Sequence, residues 1–286
     1  AERIFGLMDE PARIQEAPDA EPLQITEGRI EFDEVSFGYE GERGDGPAPT
    51  GGVVHDVSFA VDGGETLAIV GPTGAGKSTL LSLLLRLYDV DDGEIRVDGQ
   101  PIDGVTLSSL RGSIGYVGQE TFLFYGTVRE NIAYGAFDAS DDDVVEAAKA
   151  AEAHEFIADL PDGYDTMVGE RGVKLSGGQR QRIAIARAII REPEILVFDE
   201  ATSDVDTETE MLIQRSIDRL AADRTTVAVA HRLSTIKDAD GIVVLDDGRV
   251  VERGTHEELL GEDGLYAHLW GVQAGEIEDL PEAFKE

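Results

Sequence analysis

Three short stretches carry residues that could do chemistry together. Gly71, Pro72, Thr73, Gly74, Ala75, Gly76, Lys77, Ser78 and Thr79 form a G-x4-G-K-[ST] run. Its glycines let backbone N–H groups wrap a phosphate, and a following helix adds its positive end. Lys77 would then reach the β- and γ-phosphates, and Ser78 would ligate Mg²⁺. The apolar run Ile195–Phe198 ends in two carboxylates, Asp199 and Glu200, and alternation along a strand points them to opposite sides. Asp199 suits a water-mediated Mg²⁺ contact, and Glu200 suits general-base activation of a water. Ser176, Gly177, Gly178 and Gln179 make a small-residue turn opening a helix, a second place for an anion. Alone, these read as a glycine turn, an acidic strand end and a helix cap; their occurrence together and in this order points to nucleotide chemistry.

The elements that must position them can be read from periodicity. Thr66–Val70, Ile114–Val117, Ile195–Phe198, Thr225–Ala230 and Ile242–Leu245 are short runs rich in β-branched residues, separated by helical stretches. Such alternation predicts a mostly parallel sheet covered on both faces. The phosphate loop falls between the strand Thr66–Val70 and a leucine-rich helix predicted over Lys77–Leu87, as its mechanism requires. Upstream, Ile30, Phe32, Val35 and Phe37, then Val57, Phe59 and Val61, alternate as in a sheet with one solvated face. Residues 127–160 read as helical, with Ser140 and Asp143 spaced like a capping pair, and Thr207 with Glu210 predicts a helix through Leu220. Ala1–Pro11 carries a helical apolar face, Pro11–Glu27 reads as a linker, Gly41–Gly52 as a loop, and the compact domain is expected from Gly28. The division expected is 1–27 helix end and linker, 28–273 the domain with a helical subdomain at about 120–175, and 274–286 an acidic tail.

Composition excludes several alternatives. Twenty-four Lys and Arg against 59 Asp and Glu give a net charge of −35, which repels nucleic-acid backbones and anionic membranes. Only five basic residues are lysine, and the acidity runs along the whole chain, a pattern that suits a cytoplasm of molar salt, where charge repulsion is screened within a few Å. Absence of cysteine excludes disulfides and thiolate metal sites. No apolar run approaches the ~18 residues of a membrane span, so the piece by itself is expected to be soluble. A start at Ala1 without a basic-plus-apolar leader predicts a cut from a longer protein rather than a signal peptide.

Over roughly Gly28–Trp270 the sequence resembles the nucleotide-binding domain of the ABC transporter family, in the order phosphate loop, Ser-Gly-Gly-Gln turn and paired carboxylates. The resemblance implies a P-loop NTPase core with a mostly parallel sheet, an antiparallel β subdomain and a small α-helical subdomain. It implies ATP and Mg²⁺ as cofactors, and a second copy or homologous domain as partner, with Ser176, Gly177, Gly178 and Gln179 facing the ATP on the opposite subunit. It assigns Tyr39 to stacking on adenine, Gln119 to the metal and attacking water, and His231 to the γ-phosphate. Val168–Gly172 and Thr121–Tyr134 resemble exporters, whose transmembrane domain these stretches meet; that domain is expected to be fused N-terminally, with the chain on the cytoplasmic face of the membrane. One departure stands out: the family's Ser-Ala-Leu-Asp is here Ser203-Asp204-Val205-Asp206, which adds a carboxylate where the two sites communicate. A soluble ABC ATPase outside transport, an ATP-dependent switch that hydrolyses negligibly, and a stand-alone importer subunit are the competing readings.

Overall fold

The computed structural model describes residues 13–39, 53–169, 173–199, 207–229 and 236–274. The expected Ala1–Pro11 helix, the Gly41–Gly52 loop, the Ser203–Asp206 segment and the tail beyond Ala274 lie outside them. Strands β1 (Ile30–Phe37), β2 (Val54–Val61), β4 (Asp92–Val97) and β5 (Gln100–Pro101) form an antiparallel sheet in the order β2-β1-β4-β5. A six-stranded sheet contains β3 (Thr66–Val70), β6 (Ile114–Val117), β9 (Ile195–Asp199), β10 (Thr225–Val229), β11 (Gly241–Asp246) and β12 (Arg249–Gly254). Its order is β12-β11-β3-β10-β9-β6, parallel except for the edge strand β12.

Every residue of β9 and β10 is buried, the continuous apolar pattern of a strand covered on both faces. Side-chain alternation sorts these strands between separate cores. Leu67, Ile69, Val197, Val227 and Val229 pack in one core with α1 (Lys77–Leu84), with Leu110 of α2 (Leu107–Gly112) and with the antiparallel sheet. Leu196, Phe198 and Ala228 instead meet the helical lobe. Ala68, Val70, Ile242 and Val244 meet the C-terminal helices α8 (His256–Gly261) and α9 (Leu265–Ala274).

The lobe comprises α3 (Val128–Ala133), α4 (Asp141–Ala150) and α5 (His154–Ala158), with the small hairpin-like pair β7 (Gly126–Thr127) and β8 (Met167–Val168). It rests on α6 (Gly177–Ile189), which also packs on β6 and on α7 (Thr207–Ala221). The Ser140–Asp143 pair forms a complete capping box, and Thr127 with Glu130 forms another, each satisfying two backbone donors that a helix start leaves unpaired.

Two local features differ from the expected pattern. Helix α1 stops at Leu84 rather than Leu87 because Arg86 takes a positive φ of 48°. Its buried guanidinium is drawn into bonds with Asp89 and the carbonyls of Gln15, Ile102 and Asp103. The stretch read as a linker lies along the domain: Leu23 is buried in its core, and Thr106 N–H donates to the Glu21 carbonyl. The Asp98 carboxylate accepts from the backbone N–H groups of Thr26, Glu27, Gly28 and Arg29 at 2.7–3.1 Å. No helix among the described residues is long and apolar enough to cross a membrane.

Candidate functional site

The phosphate loop emerges from the carboxyl end of β3, the position at which open α/β sheets collect ligands. Backbone sterics fix its path. A Cβ on Gly71 would enter the carbonyl oxygen of Leu245, and one on Gly76, at φ 98°, would lie 2.9 Å from the Val53 carbonyl. Gly74, at φ 88°, has open space on that side, so its positive φ and not packing calls for glycine there. Lys77, only 6% exposed, folds its ammonium back over the loop and donates to the Gly71 and Pro72 carbonyls at 2.8 Å. A cation folded over a glycine loop at the start of a helix suits a polyphosphate.

Ser78, at the exposed side of the loop, donates its hydroxyl to Asp199 Oδ1 at 3.1 Å. Asp199 closes β9 and is 7% exposed. A hydroxyl and a carboxylate from two elements, meeting beside a phosphate cradle, form the hard-oxygen donor set of Mg²⁺. Asp199 also borders a cleft of about 380 Å³ that includes Gln119, Tyr116 and Phe122. Tyr116 was not singled out by sequence reasoning; its hydroxyl titrates above the usual phenol range because of burial and the Asp199 charge. A polar ring in the run Ile114–Val117 is the signal that could have found it.

Tyr39 lies beside the loop. Its ring stands edge-on to Phe37 and Tyr88, with centroids 5.0 and 5.2 Å away, and its hydroxyl is 3.2 Å from Thr79 Oγ1. Lys77, Ser78, Thr79, Asp199 and Tyr39 are thus brought together, and Gln119 lines the same cleft as Asp199.

Ser176, Gly177, Gly178 and Gln179 stand on a separate element, the start of α6. Ser176 Oγ accepts from the Gln179 N–H at 3.2 Å, and Gln179 Oε1 accepts from the Ser176 N–H at 2.9 Å. The turn is therefore a capping box that holds the first turn of α6 outward, with Ser176 exposed. Glu200 and His231, the expected base and γ-phosphate ligand, lie outside the described residues, as do Glu170 and Arg171.

Beyond the cleft runs a ladder of exposed rings: Phe122 on Phe124 at 5.3 Å, Phe124 on Tyr134 at 4.3 Å, and Tyr134 on Phe137 at 5.2 Å. Exposures of 63% for Phe122 and 78% for Phe137 leave apolar surface far above what scattered single residues would give. Arg187 of α6 secures the ladder. It donates to the carbonyls of Asn131 and Phe122 and to Asn131 Oδ1 at 2.8–3.0 Å, and its guanidinium lies 5.3 Å from the Phe124 ring centroid.

Comparison with known proteins places this geometry. Residues 54–203 match the family described as ABC transporter. The chain is 50% identical over 277 residues to ATP-binding cassette sub-family B member 6 of Homo sapiens, covering 97% of this chain and 32% of that protein. It is 51% identical over 270 residues to a multidrug export ATP-binding/permease protein of Staphylococcus aureus, covering 94% of this chain and 46% of that one. A solved bacterial Atm1-family ABC exporter with ATP bound superposes with a TM-score of 0.88 at 49% identity, over 96% of this chain and 47% of that one. The chain spans less than half the length of each of these relatives.

Proposed function

The chain belongs to the ABC transporter family as its ATP-binding and hydrolysing part, and on that premise we propose that it powers export across a membrane by ATP-driven closure of two such domains. The observation that carries this reading is the meeting of Lys77, Ser78 and Asp199 at the mouth of a glycine-locked loop. The exporter relatives support the direction of transport.

In this reading the loop N–H groups and Lys77 bind the β- and γ-phosphates and neutralise charge that builds on the transferring group. Ser78, Asp199 and Gln119 hold Mg²⁺, which when bound supplies further charge neutralisation. Glu200 takes the proton of the attacking water, His231 orients the γ-phosphate, and Tyr39 offers its ring to adenine. Ser176–Gln179 present the start of α6 to the nucleotide held by the second domain, so neither site is complete alone. Catalysis then consists of positioning and electrostatics rather than covalent chemistry.

The exposed ladder from Phe122 to Phe137 supports docking of a membrane domain, N-terminally fused, at the cytoplasmic face. The net charge of −35 supports function in molar salt. Mg-ATP turnover, measured in molar KCl against protein concentration for the unchanged chain and Glu200→Gln, tests the reading. Turnover should rise faster than linearly with concentration and vanish in the variant. Linear turnover that survives Glu200→Gln would remove both the paired-site mechanism and the assigned base.

A further inference from the structure

Tyr88 stands against Tyr39, the ring offered to adenine, and lies outside both the phosphate loop and the Mg²⁺ donor set. Its ring is edge-on to Tyr39, with centroids 5.2 Å apart, and tilted against Phe37 at 5.3 Å. Tyr39 is edge-on to Phe37 as well, at 5.0 Å, so the three rings close a triangle. Phe37 is buried at the end of β1, whereas Tyr88 is 37% exposed. The segment that carries Tyr88, residues 85–91 between α1 and β4, is fixed on both sides of the ring. Before it, the buried Arg86 donates from Nε to Asp89 Oδ1 at 2.8 Å and from Nη2 to the Gln15 carbonyl at 3.0 Å. After it, the Asp91 N–H donates to the Ser36 carbonyl, and Asp91 Oδ2 accepts from the Gly38 N–H, both at 2.9 Å. The same segment therefore grips the backbone just before Tyr39 and the ring of Tyr39 itself. The Tyr39 hydroxyl, 3.2 Å from Thr79 Oγ1, ties the far end of the ring to the helix that opens at the phosphate loop.

We propose that Tyr88 is a positioning residue for base recognition: its ring braces Tyr39 for stacking, and so sets how far the site prefers a nucleoside triphosphate over a bare triphosphate. This rests on the reading of Tyr39 given above. A tyrosine without walls swings about two side-chain torsions, and freezing it when a ligand arrives subtracts from affinity. Two rings packed edge-to-face with Tyr39, and a hydroxyl anchored at Thr79, remove that freedom before the base arrives. Phe37 also fills the core under the antiparallel sheet; Tyr88, more exposed, is the wall that can be removed without emptying that core. The gain is confined to the base, because in this reading the phosphates are held by the loop N–H groups and Lys77.

The test measures equilibrium binding of ATP and of inorganic triphosphate to the full chain, without Mg²⁺ so that no turnover intervenes. Tyr88→Leu keeps an apolar cover on Phe37 and removes the aromatic edge; Tyr88→Phe keeps the edge and loses the hydroxyl. Tyr88→Leu should weaken ATP roughly threefold, the scale of ordering one side chain on binding. It should leave inorganic triphosphate, which reports the folded loop, unchanged. Tyr88→Phe should match the unchanged chain. Tyr39→Ala should weaken ATP roughly tenfold, the scale of one base–aromatic stack, and adding Tyr88→Leu to it should cost nothing further, because the brace then has nothing to hold. A Tyr88→Leu chain that binds ATP as tightly as the unchanged one, or that loses ATP and triphosphate by the same factor, would overturn the proposal while Tyr39→Ala still reports the stack. ATP affinity unmoved in Tyr39→Ala would instead strike the adenine reading of Tyr39, and the brace with it.

Discussion

The phosphate loop and the helical lobe are held by different forces. Around the loop, the chain path is set by backbone against backbone: Gly71 under the Leu245 carbonyl and Gly76 beside that of Val53. In the lobe, the same task falls to side-chain hooks, with Arg187 on Asn131 and Phe124, Arg182 4.6 Å from the Phe156 ring, and Arg129 between Asp141 and Asp165. Steric walls are stiff, whereas polar hooks can be exchanged for others of similar energy. A binding cradle that must meet the same phosphate in every cycle suits the first kind. A lobe that rests on α6 beside the Ser176–Gln179 turn, and that in the proposed reading adjusts to two docked partners, suits the second.

The sharpest way to break this contrast is to add one carbon at the wall. Gly71→Ala drives a methyl into the Leu245 carbonyl, so either β11 or the loop must move by a substantial fraction of an ångström. Misplacement of that size near reacting groups costs about 100-fold in rate, and ATP turnover should fall at least that far. A variant with near-normal turnover would show that the loop is as adaptable as the lobe.

Arg187→Ala removes a hook instead. Three hydrogen bonds and a ring contact are lost, and Asn131 Oδ1, in a residue only 1% exposed, keeps just the Phe124 N–H. Denaturant unfolding should show a loss of about 1.5–3 kcal/mol, with ATP affinity, which depends on the loop, nearly unchanged. Affinity falling in step with stability would mean that the two regions are one rigid body.

Asp98 tests a third case, the strap formed by the stretch read as a linker, which Asp98 holds against the domain. Burial opposes its charge, yet the N–H groups of Thr26, Gly28, Glu27 and Arg29 hold its carboxyl below the usual carboxylate value. A folded-state value below the unfolded one means that the unfolded chain takes up the proton first as pH falls. The contribution of Asp98 is therefore complete above the unfolded value of about 3.9 and is lost below it, as the folded carboxylate protonates. Asp98→Asn should lower stability by about 1 kcal/mol at neutral pH, and the difference from the unchanged chain should shrink as acid unfolding is followed below pH 4.

Much of this was legible because apolar period and motif spacing are local. Thr66–Val70 and Ile114–Val117 were read to their observed bounds, since buried parallel strands admit little besides β-branched and aliphatic residues. Strands β4 and β12 were not, because half the positions of each carry charges: Asp92, Glu94 and Arg96 in one, Arg249, Glu252 and Arg253 in the other. The strap escaped as well, since its anchor is Asp98, some seventy positions away, and four backbone donors leave no trace in composition. In the site, Lys77, Ser78 and Asp199 were visible from motif chemistry alone. Arg187 and Tyr116 were not, because what singles them out is their contact with neighbours distant in sequence, Asn131 and Phe122 for one and the Asp199 charge for the other.

The smallest effect on stability should come from the ladder's outer end, and it separates folding from function most cleanly. Phe137 touches Tyr134 edge-on and is otherwise exposed, so Phe137→Ser removes little buried area. Stability should change by no more than about 0.5 kcal/mol, and ATP turnover of this chain should be unaffected. If the ladder is where a membrane domain rests, the same substitution in the full-length protein should lower transport while ATP binding persists, because rings exposed in one domain become buried when the other docks. Comparable transport by both proteins would leave the ladder an ordinary apolar surface, and the lobe's hooks would then serve its packing on α6 alone.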